Sequence, residues 1–165
     1  MTSDTKQVRK QPEKRRATAR MFDPALSYGQ LPLLTGFALR RASLFDFAGF
    51  GEAVGEKAIT PLRYSMLEVV GANPGLQQVQ LADILGLSRP AATIAIDFWE
   101  KRKCLARRRD AKDRRSYGIF LTSTGEDTLA ELQKRVQAHD RELTKSLSSE
   151  ELANLRSCLR RIYEG

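Results

Sequence analysis

The side chains most able to bind a ligand are basic, and they fall in two short stretches. Nine of the fifteen residues from 101 to 115 are lysine or arginine, and seven of the first twenty residues are basic. These stretches carry net charges of +7 and +5, whereas the remaining 130 residues sum to −4 within a total of +8. Lysine and arginine bind phosphate oxygens, so a basic excess confined to two segments indicates a polyanionic partner.

Catalytic and metal-binding chemistry lacks its usual residues. The only histidine is His139, and the two cysteines, Cys104 and Cys158, are far apart and form no CxxC pair. The sequence has no nucleophile elbow, no phosphate-binding glycine loop and no HExxH motif. We therefore expect no catalytic residue, no metal site and no cofactor, and we do not expect an enzyme.

The cysteines and the apolar segments also predict where in the cell the protein is located. Two isolated cysteines fit a reducing environment. No run of 18 apolar residues is present, and the charged N-terminus has no apolar signal region. We expect a cytoplasmic protein that does not contact a membrane.

Local signals around the second basic stretch predict two helices followed by a hairpin. A helix from about Gln77 to Leu85 ends at Gly86, which suits a left-handed turn. Ser88 is a good cap for a second helix that continues to about Arg102. Residues 105–109 and 117–122 alternate well enough to pair as two strands. Helix, turn, helix and hairpin in this order predict a mainly α protein with a small β-hairpin wing, a winged helix-turn-helix.

This arrangement turns the basic residues into candidate DNA ligands. Arg89 can reach a guanine edge or a phosphate, and Thr93 can meet a thymine methyl group or a phosphate. Asp113 is expected to hold a neighbouring arginine and fix the hairpin tip. The candidate DNA-binding residues are Ser88, Arg89, Pro90, Ala91 and Thr93 on the second helix, and Arg107, Arg109, Lys112, Asp113, Arg114 and Arg115 in the hairpin.

The flanking segments predict helices that need partners. The first helix runs from Leu31 to about Phe50, and Thr60-Pro61 begins another. Apolar residues spaced by three and four along the last two helices predict a narrow seam suited to a two-fold dimer. Phe45, Phe47 and Phe50 are expected in the core. The seam residues are Leu129, Leu132, Val136, His139, Leu143 and Leu147, then Leu152, Leu155, Leu159 and Ile162.

The chain resembles the MarR family of bacterial transcription regulators from about Leu31 to its C-terminus. The matching segments are QQVQLADILGLSRPAAT, residues 77–93, and RRRDAKDRRSYGIFLTSTG, residues 107–125. Within the second, DRR followed by LTxxG has the order and spacing of the family. The resemblance implies a dimer with interleaved terminal helices, a recognition helix from Ser88 to about Arg102 and a wing over 106–120. The predicted segments are a disordered basic arm (1–20), an N-terminal dimerisation and ligand-pocket segment (21–58), a DNA-binding lobe (59–122) and C-terminal dimerisation helices (123–165).

The resemblance also implies a switch. Members of this family commonly repress nearby operons from a pseudo-palindromic double-stranded operator and release it when a small, often aromatic, anion binds. The phrase LPLLTGFALRRA, residues 31–42, is similar to members that govern degradation of aromatic acids or their coenzyme A thioesters. A small-molecule effector of this class, an aromatic carboxylate or an acyl-CoA, is therefore expected. By resemblance its pocket would use Tyr28, Phe37, Arg40, Arg41, Phe45 and Met66.

Two positions depart from the family pattern. Lys103 stands where a glycine is usual, so the turn before the first wing strand must be made without glycine. Cys104 replaces a leucine-like residue, and it is either a small apolar plug or a thiol that senses oxidation. A redox-gated regulator acting through Cys104 and a sequence-tolerant architectural DNA-binding protein therefore remain the alternative functions.

Overall fold

The computed structural model describes residue 23 and residues 25–109 and 117–165. A short 3-10 helix, Leu31–Leu33, precedes six α-helices and three β-strands. None of the helices described is long and apolar enough to span a membrane. In chain order the elements are α1 (Thr35–Ala53), α2 (Pro61–Ala72), β1 (Leu76–Gln77), α3 (Gln78–Ile84), α4 (Arg89–Lys101), β2 (Leu105–Arg109), β3 (Tyr117–Leu121), α5 (Ser123–Leu143) and α6 (Ser149–Glu164).

The predicted caps begin the helices. The side chain of Thr60 accepts the amide proton of Arg63 at the start of α2, with Pro61 as the first helical residue. Ser88 accepts from the backbone of α4, and Ser148 caps α6. The Ser148 amide and hydroxyl donate to Glu151, and these bonds lower the pKa of the Glu151 carboxyl. Each cap satisfies amide groups that have no partner within the helix.

The wing belongs to a three-stranded antiparallel sheet in the order β1-β3-β2. The two predicted strands pair as expected, with Leu105 opposite Leu121 and Arg109 opposite Tyr117. The sequence analysis missed β1, where Leu76 pairs with Ile119 of β3. A two-residue strand has no periodicity to detect, but its pairing attaches the wing to the start of α3.

One hydrophobic core contains residues from three segments that were predicted to have separate roles. Phe50, Met66 and Trp99 are 3%, 0% and 1% exposed, and they share a cluster with Leu129 and Leu132 of α5. The Trp99 indole donates to the Arg63 carbonyl at 2.9 Å, joining α4 to α2. The first half of α5 is therefore part of the protein's own core rather than a free dimerisation seam.

Several residues expected inside lie at the surface. Phe45 and Phe47 are 48% and 59% exposed, whereas Phe50 alone of the three is in the core. Leu62 of α2 and Val79 of α3 are also exposed. Conversely, Ala92 and Ile96 of α4 are fully buried. The three- and four-residue spacing of apolar side chains predicts a helix, but which face is buried depends on neighbours that sequence cannot place.

His139 connects α5 to α1. Its Nε2 lies 2.9 Å from an oxygen of Asp46, and its ring packs edge-on against Phe50 at 5.6 Å. Arg135 of the same helix donates to the Val54 carbonyl at 2.8 Å. These contacts fix α5 along the C-terminal half of α1.

The turn between α4 and β2 is made by Lys103 in a left-handed conformation, with φ at 57°. The Cys104 carbonyl then accepts the amide of Thr122 at 3.0 Å. A Cβ at Gly125 would lie 2.0 Å from that same carbonyl oxygen. The LTxxG pattern is thereby explained: Thr122 caps α5, and Gly125 leaves room for the backbone of the turn.

Lys103→Gly should raise the free energy of unfolding by about 0.5–1 kcal/mol. An L-residue in the left-handed region costs roughly 1–2 kcal/mol, and glycine offsets part of this gain through its greater entropy when unfolded. Urea unfolding followed by circular dichroism measures the change.

The matched control is Lys101→Gly, in the last turn of α4. It should destabilise by about 1 kcal/mol, because a helical residue gains nothing from glycine. A loss of stability in Lys103→Gly similar to that of the control would contradict the interpretation of the turn.

Candidate nucleic-acid interface

The outer face of α4 is a stripe of four residues spaced by four, three and four: Pro90, Ile94, Asp97 and Lys101. The buried face, formed by Ala92, Ala95, Ile96 and Trp99, lies opposite. Ile94 is 65% exposed although it is apolar. Ile94 is not among the candidate ligands predicted from the sequence, and its exposure makes it a further candidate for contact with a thymine methyl group.

The N-terminal turn of α4 presents the predicted ligands. Arg89 and Pro90 are exposed, and Ala91 and Thr93 are half-buried beside them. Ser88 is exposed, but its hydroxyl oxygen accepts from the Ala91 amide. The Thr93 hydroxyl donates to the Arg89 carbonyl and also meets the side chain of Gln78 in α3.

Arg107 of the wing is engaged by the recognition helix. Its guanidinium forms ion pairs with Glu100 and, at 2.9 Å, with Asp97. Side-chain exposures of 30% for Arg107 and 26% for Glu100 place the cluster in a half-buried position. Arg107 therefore joins β2 to α4 and offsets part of the negative charge of two carboxylates. From the sequence, Arg107 was instead a candidate DNA ligand of the hairpin.

The outer half of β2 carries two further arginines. The Arg109 guanidinium donates to the Tyr117 hydroxyl at 3.3 Å, and this bond raises the pKa of Arg109 above its usual value. Arg108, which the sequence analysis did not single out, lies 5.2 Å above the Phe120 ring. Both residues are exposed. The predicted tip ligands Lys112, Asp113, Arg114 and Arg115, and the arm of residues 1–20, lie outside the described residues.

A basic and aromatic flank borders the helix on its other side. The Phe98 ring lies between the guanidinium groups of Arg63, at 3.7 Å, and Arg102, at 3.6 Å. Arg102 is also paired with Glu56 at 2.6 Å. A cleft of about 270 Å³ opens here beside Ile94 and Lys101. Guanidinium stacking of this kind orients donors without burying their charge.

The candidate effector residues separate into two groups. Tyr28, Phe37 and Arg41 lie together, with the two ring centres 6.3 Å apart and the Arg41 guanidinium 5.8 Å from the Phe37 ring. Arg40 and Phe45 are exposed on the same helix. Met66 is 0% exposed and packs in the core, so it has no free surface for a ligand.

A larger cleft of about 470 Å³ lies where α1 ends and α2 begins. Its lining is mostly apolar, with Lys57 and Glu52 as charged members; the apolar lining includes Phe47, Ala48, Ile59 and Pro61. Ala48 is eleven residues after Phe37 and shares its helical face, so the aromatic cluster and the cleft lie along one side of α1.

Three comparisons with known proteins identify this architecture. The model of the MarR family matches residues 59–116. A relative from Thauera aromatica, described as a putative transcriptional regulatory protein for the hcr operon, is 30% identical over 139 residues, which is 84% of each chain. The chain belongs to the MarR family.

Two solved structures of a MarR-type repressor, CouR, share the fold over 84% of this chain. The structure bound to a 23-mer DNA duplex is 37% identical with a TM-score of 0.78, and 98% of that chain is covered. The structure bound to p-coumaroyl-CoA is 34% identical with a TM-score of 0.76, and 97% of that chain is covered. MarR-family proteins are non-enzymatic DNA-binding transcription regulators. In the winged-helix fold of this chain, α4 is the second helix of the helix-turn-helix, predicted as the recognition helix, and the β2–β3 hairpin is the wing.

The unusual cysteine of this MarR-family chain is an apolar plug. Cys104 is 3% exposed, and its sulfur lies 3.5 Å from the Arg102 carbonyl and 3.6 Å from the Thr128 hydroxyl. Cys158 is exposed on α6. No group of three metal-ligating side chains occurs among residues 23, 25–109 and 117–165.

Arg107→Ala should lower DNA affinity by about tenfold, or 1.4 kcal/mol, because it exposes two carboxylates beside the phosphates. Stability should fall by only about 1 kcal/mol, since the cluster is partly solvated. Fluorescence anisotropy with labelled duplex measures affinity as a function of salt.

The triple variant Arg107→Ala, Asp97→Asn, Glu100→Gln separates the two roles. If Arg107 acts by neutralising the carboxylates, the triple variant should regain most of the lost affinity. A triple variant as weak as the single one, with a salt slope reduced by about one phosphate, would show that Arg107 contacts DNA directly.

Proposed function

We propose that this protein is a homodimeric repressor that binds a pseudo-palindromic operator and is released by an aromatic acyl-CoA. The observation that carries the proposal is the outward face of α4, with Arg89 and Ile94 exposed and Thr93 half-buried in its first turns, beside a basic wing. The CouR repressor, bound to a DNA duplex in one structure and to p-coumaroyl-CoA in another, is the supporting relative. Two copies would place their recognition helices in successive major grooves.

The dimer is supported by apolar faces that the single chain leaves uncovered. None of the residues of α6 is buried, and Leu155, Ile162 and Tyr163 are 42%, 59% and 74% exposed. At the other end of the chain, Leu33 and Leu34 are 84% and 53% exposed. Apolar patches of this extent rarely face water in a stable monomer. A two-fold dimer in which the terminal helices pair would cover both.

Leu155→Glu should dissociate the dimer, because a carboxylate buried without a partner costs several kcal/mol. Light scattering coupled to size-exclusion chromatography measures the mass. Ser157→Glu is the matched control, since it introduces the same charge on the polar face of α6 and should leave the dimer intact. A Leu155→Glu protein that remains dimeric at micromolar concentration would contradict the assignment of this face.

The effector site is proposed at the aromatic and basic cluster of α1. Tyr28 and Phe37 offer ring faces to an aromatic acyl group. Arg40 and Arg41 form no ion pair within the described part of the chain, so their guanidinium groups are available to a thioester's phosphates or to a carboxylate. Phe45 adds an exposed ring beside them, and the cleft at the end of α1 extends the same side of the helix. Met66 is omitted because it is buried.

The proposed function is tested by titrating ligands against a complex of the protein with duplex DNA from the region upstream of its own gene. Aromatic acyl-CoA thioesters should dissociate the complex, and free coenzyme A and acetyl-CoA should not. Arg41→Ala should raise the required concentration by roughly 10- to 100-fold, the effect of losing one charge-assisted hydrogen bond.

The control is Arg161→Ala, which removes the same charge from α6, away from the cluster. It should change neither DNA affinity nor ligand response. If neither aromatic acids nor their thioesters weaken the complex, the ligand switch is wrong, although DNA binding itself would remain established.

A further inference from the structure

The hydroxyl group of Thr93 has already used its only proton inside the protein. Its oxygen lies 3.0 Å from the Arg89 carbonyl, and a carbonyl oxygen can only accept. The Thr93 hydroxyl must therefore be the donor in this bond. It retains no proton for a phosphate oxygen or for an acceptor on a base edge.

The same oxygen accepts a second bond, from Gln78. The Gln78 side-chain nitrogen lies 2.7 Å from the Thr93 oxygen. Because the hydroxyl proton points to Arg89, the amide group facing Thr93 must be the donating NH₂ end. The chemistry of the Thr93 hydroxyl therefore determines which end of the Gln78 amide faces it.

The backbone of Gln78 is held as firmly as its side chain. Gln78 is the first residue of α3 and follows β1, where Gln77 pairs with Gly118 of the wing. A Cβ at Gly118 would lie 2.8 Å from the Gly75 carbonyl, so the two backbones are in close contact. Gln78 therefore stands where the sheet, α3 and the recognition helix meet, and it is half-buried.

A glutamine fixed in this way keeps one N–H donor and its carbonyl oxygen for another partner. That is the pair of groups that recognises adenine through N7 and N6 in the major groove. Thr93, with its hydroxyl occupied, presents a methyl group, which suits the methyl of a thymine. A phosphate could accept the remaining N–H but would leave the amide oxygen without a donor. An adenine edge pairs with both groups, so a base is the favoured partner.

We propose that Gln78 and Thr93 form one reading unit that selects an A·T base pair, with Thr93 acting as the positioning residue for the Gln78 amide. The proposal rests on the proposed DNA-binding function and names residues that determine its sequence preference. It assigns Gln78, which no helix-turn-helix pattern singled out, to the interface. Of the two roles expected for Thr93, it also selects the contact with a thymine methyl group over a bond to a phosphate.

The test begins with full-length wild-type protein and a library of duplexes with a randomised central segment. After selection, affinities are measured for the enriched duplex and for its single base-pair substitutions. Gln78→Ala should abolish the preference at one A·T pair, a loss of roughly 5- to 150-fold in discrimination. Thr93→Val, which keeps the shape but removes the hydroxyl, should lose preference at that same pair.

The double variant distinguishes one unit from two independent contacts. If the residues act together, Gln78→Ala with Thr93→Val should discriminate no worse than either single variant. Thr93→Ser retains the hydroxyl and should keep the adenine preference. Gln137→Ala, an exposed glutamine of α5, is the matched control and should leave all preferences unchanged. Thermal unfolding of each variant verifies that the fold is retained.

The failure of this inference is distinguishable from failure of the proposed function. If wild-type protein enriches no sequence, the protein is sequence-tolerant and the proposed operator binding is wrong. If wild-type protein enriches a sequence but Thr93→Val keeps every base preference, the reading unit is overturned. Losses at two different base pairs, or losses that add in the double variant, would overturn it equally.

Discussion

The backbone carbonyl of Cys104 is the point on which the geometry of the DNA-binding lobe depends. It accepts the amide of Thr122 at 3.0 Å, and it approaches the Cα of Gly125 so closely that a Cβ there would lie 2.0 Å away. The carbonyl reaches this position because Lys103 adopts a left-handed conformation. The end of the recognition helix, the first wing strand and the start of α5 are therefore joined through backbone atoms, which have no rotamers to relax. Any side chain at position 125 would force these three elements apart.

This junction lies in a continuous series of contacts that connects α1 and α2 to α4. The Cys104 amide donates to the Trp99 carbonyl at 2.9 Å, so α4 continues into the junction without a flexible linker. The Trp99 indole in turn donates a hydrogen bond to the Arg63 carbonyl of α2. On the far side, α5 is tied to α1 through Arg135 and the pair of His139 with Asp46. A displacement of α1 against α5 would therefore be passed on to α4, because packed interiors transmit strain rather than absorb it.

Sequence predicted those features that arise from a few adjacent residues. Ser88 and Thr60 are caps, Gly86 has a φ of 63°, and the wing strands pair as expected, since each depends on local chemistry. What sequence could not supply were contacts between distant residues. The ion pairs of Arg107 join residues ten and seven positions apart across a turn, β1 exists only through its pairing with β3, and Leu129 enters a core built from α1 and α2. The hydrogen bond between Gln78 and Thr93, which are fifteen residues apart, is another such contact that sequence could not predict. The candidate ligands of α4 lie together at its N-terminal turn, whereas residues 112–115 lie outside the described residues. The individual roles of the candidates depend on which hydrogen-bonding groups are already occupied, and sequence does not show this.

The charge that α4 and the wing present at the surface depends on which side chains are already paired within the protein. A recognition helix bearing Asp97 and Glu100 is poorly suited to a polyanion, and a count of basic residues does not reveal the conflict. Arg107 of β2 reduces it by placing one guanidinium against both carboxylates. Arg107 is thus committed to these ion pairs, whereas Arg89, Lys101, Arg108 and Arg109 are exposed. Because phosphate contacts carry no sequence information, discrimination must come from the neutral groups between these cations. Those groups are the exposed Ile94, the Thr93 methyl and the Gln78 amide, and their position between basic flanks allows the two tasks to be performed by different residues.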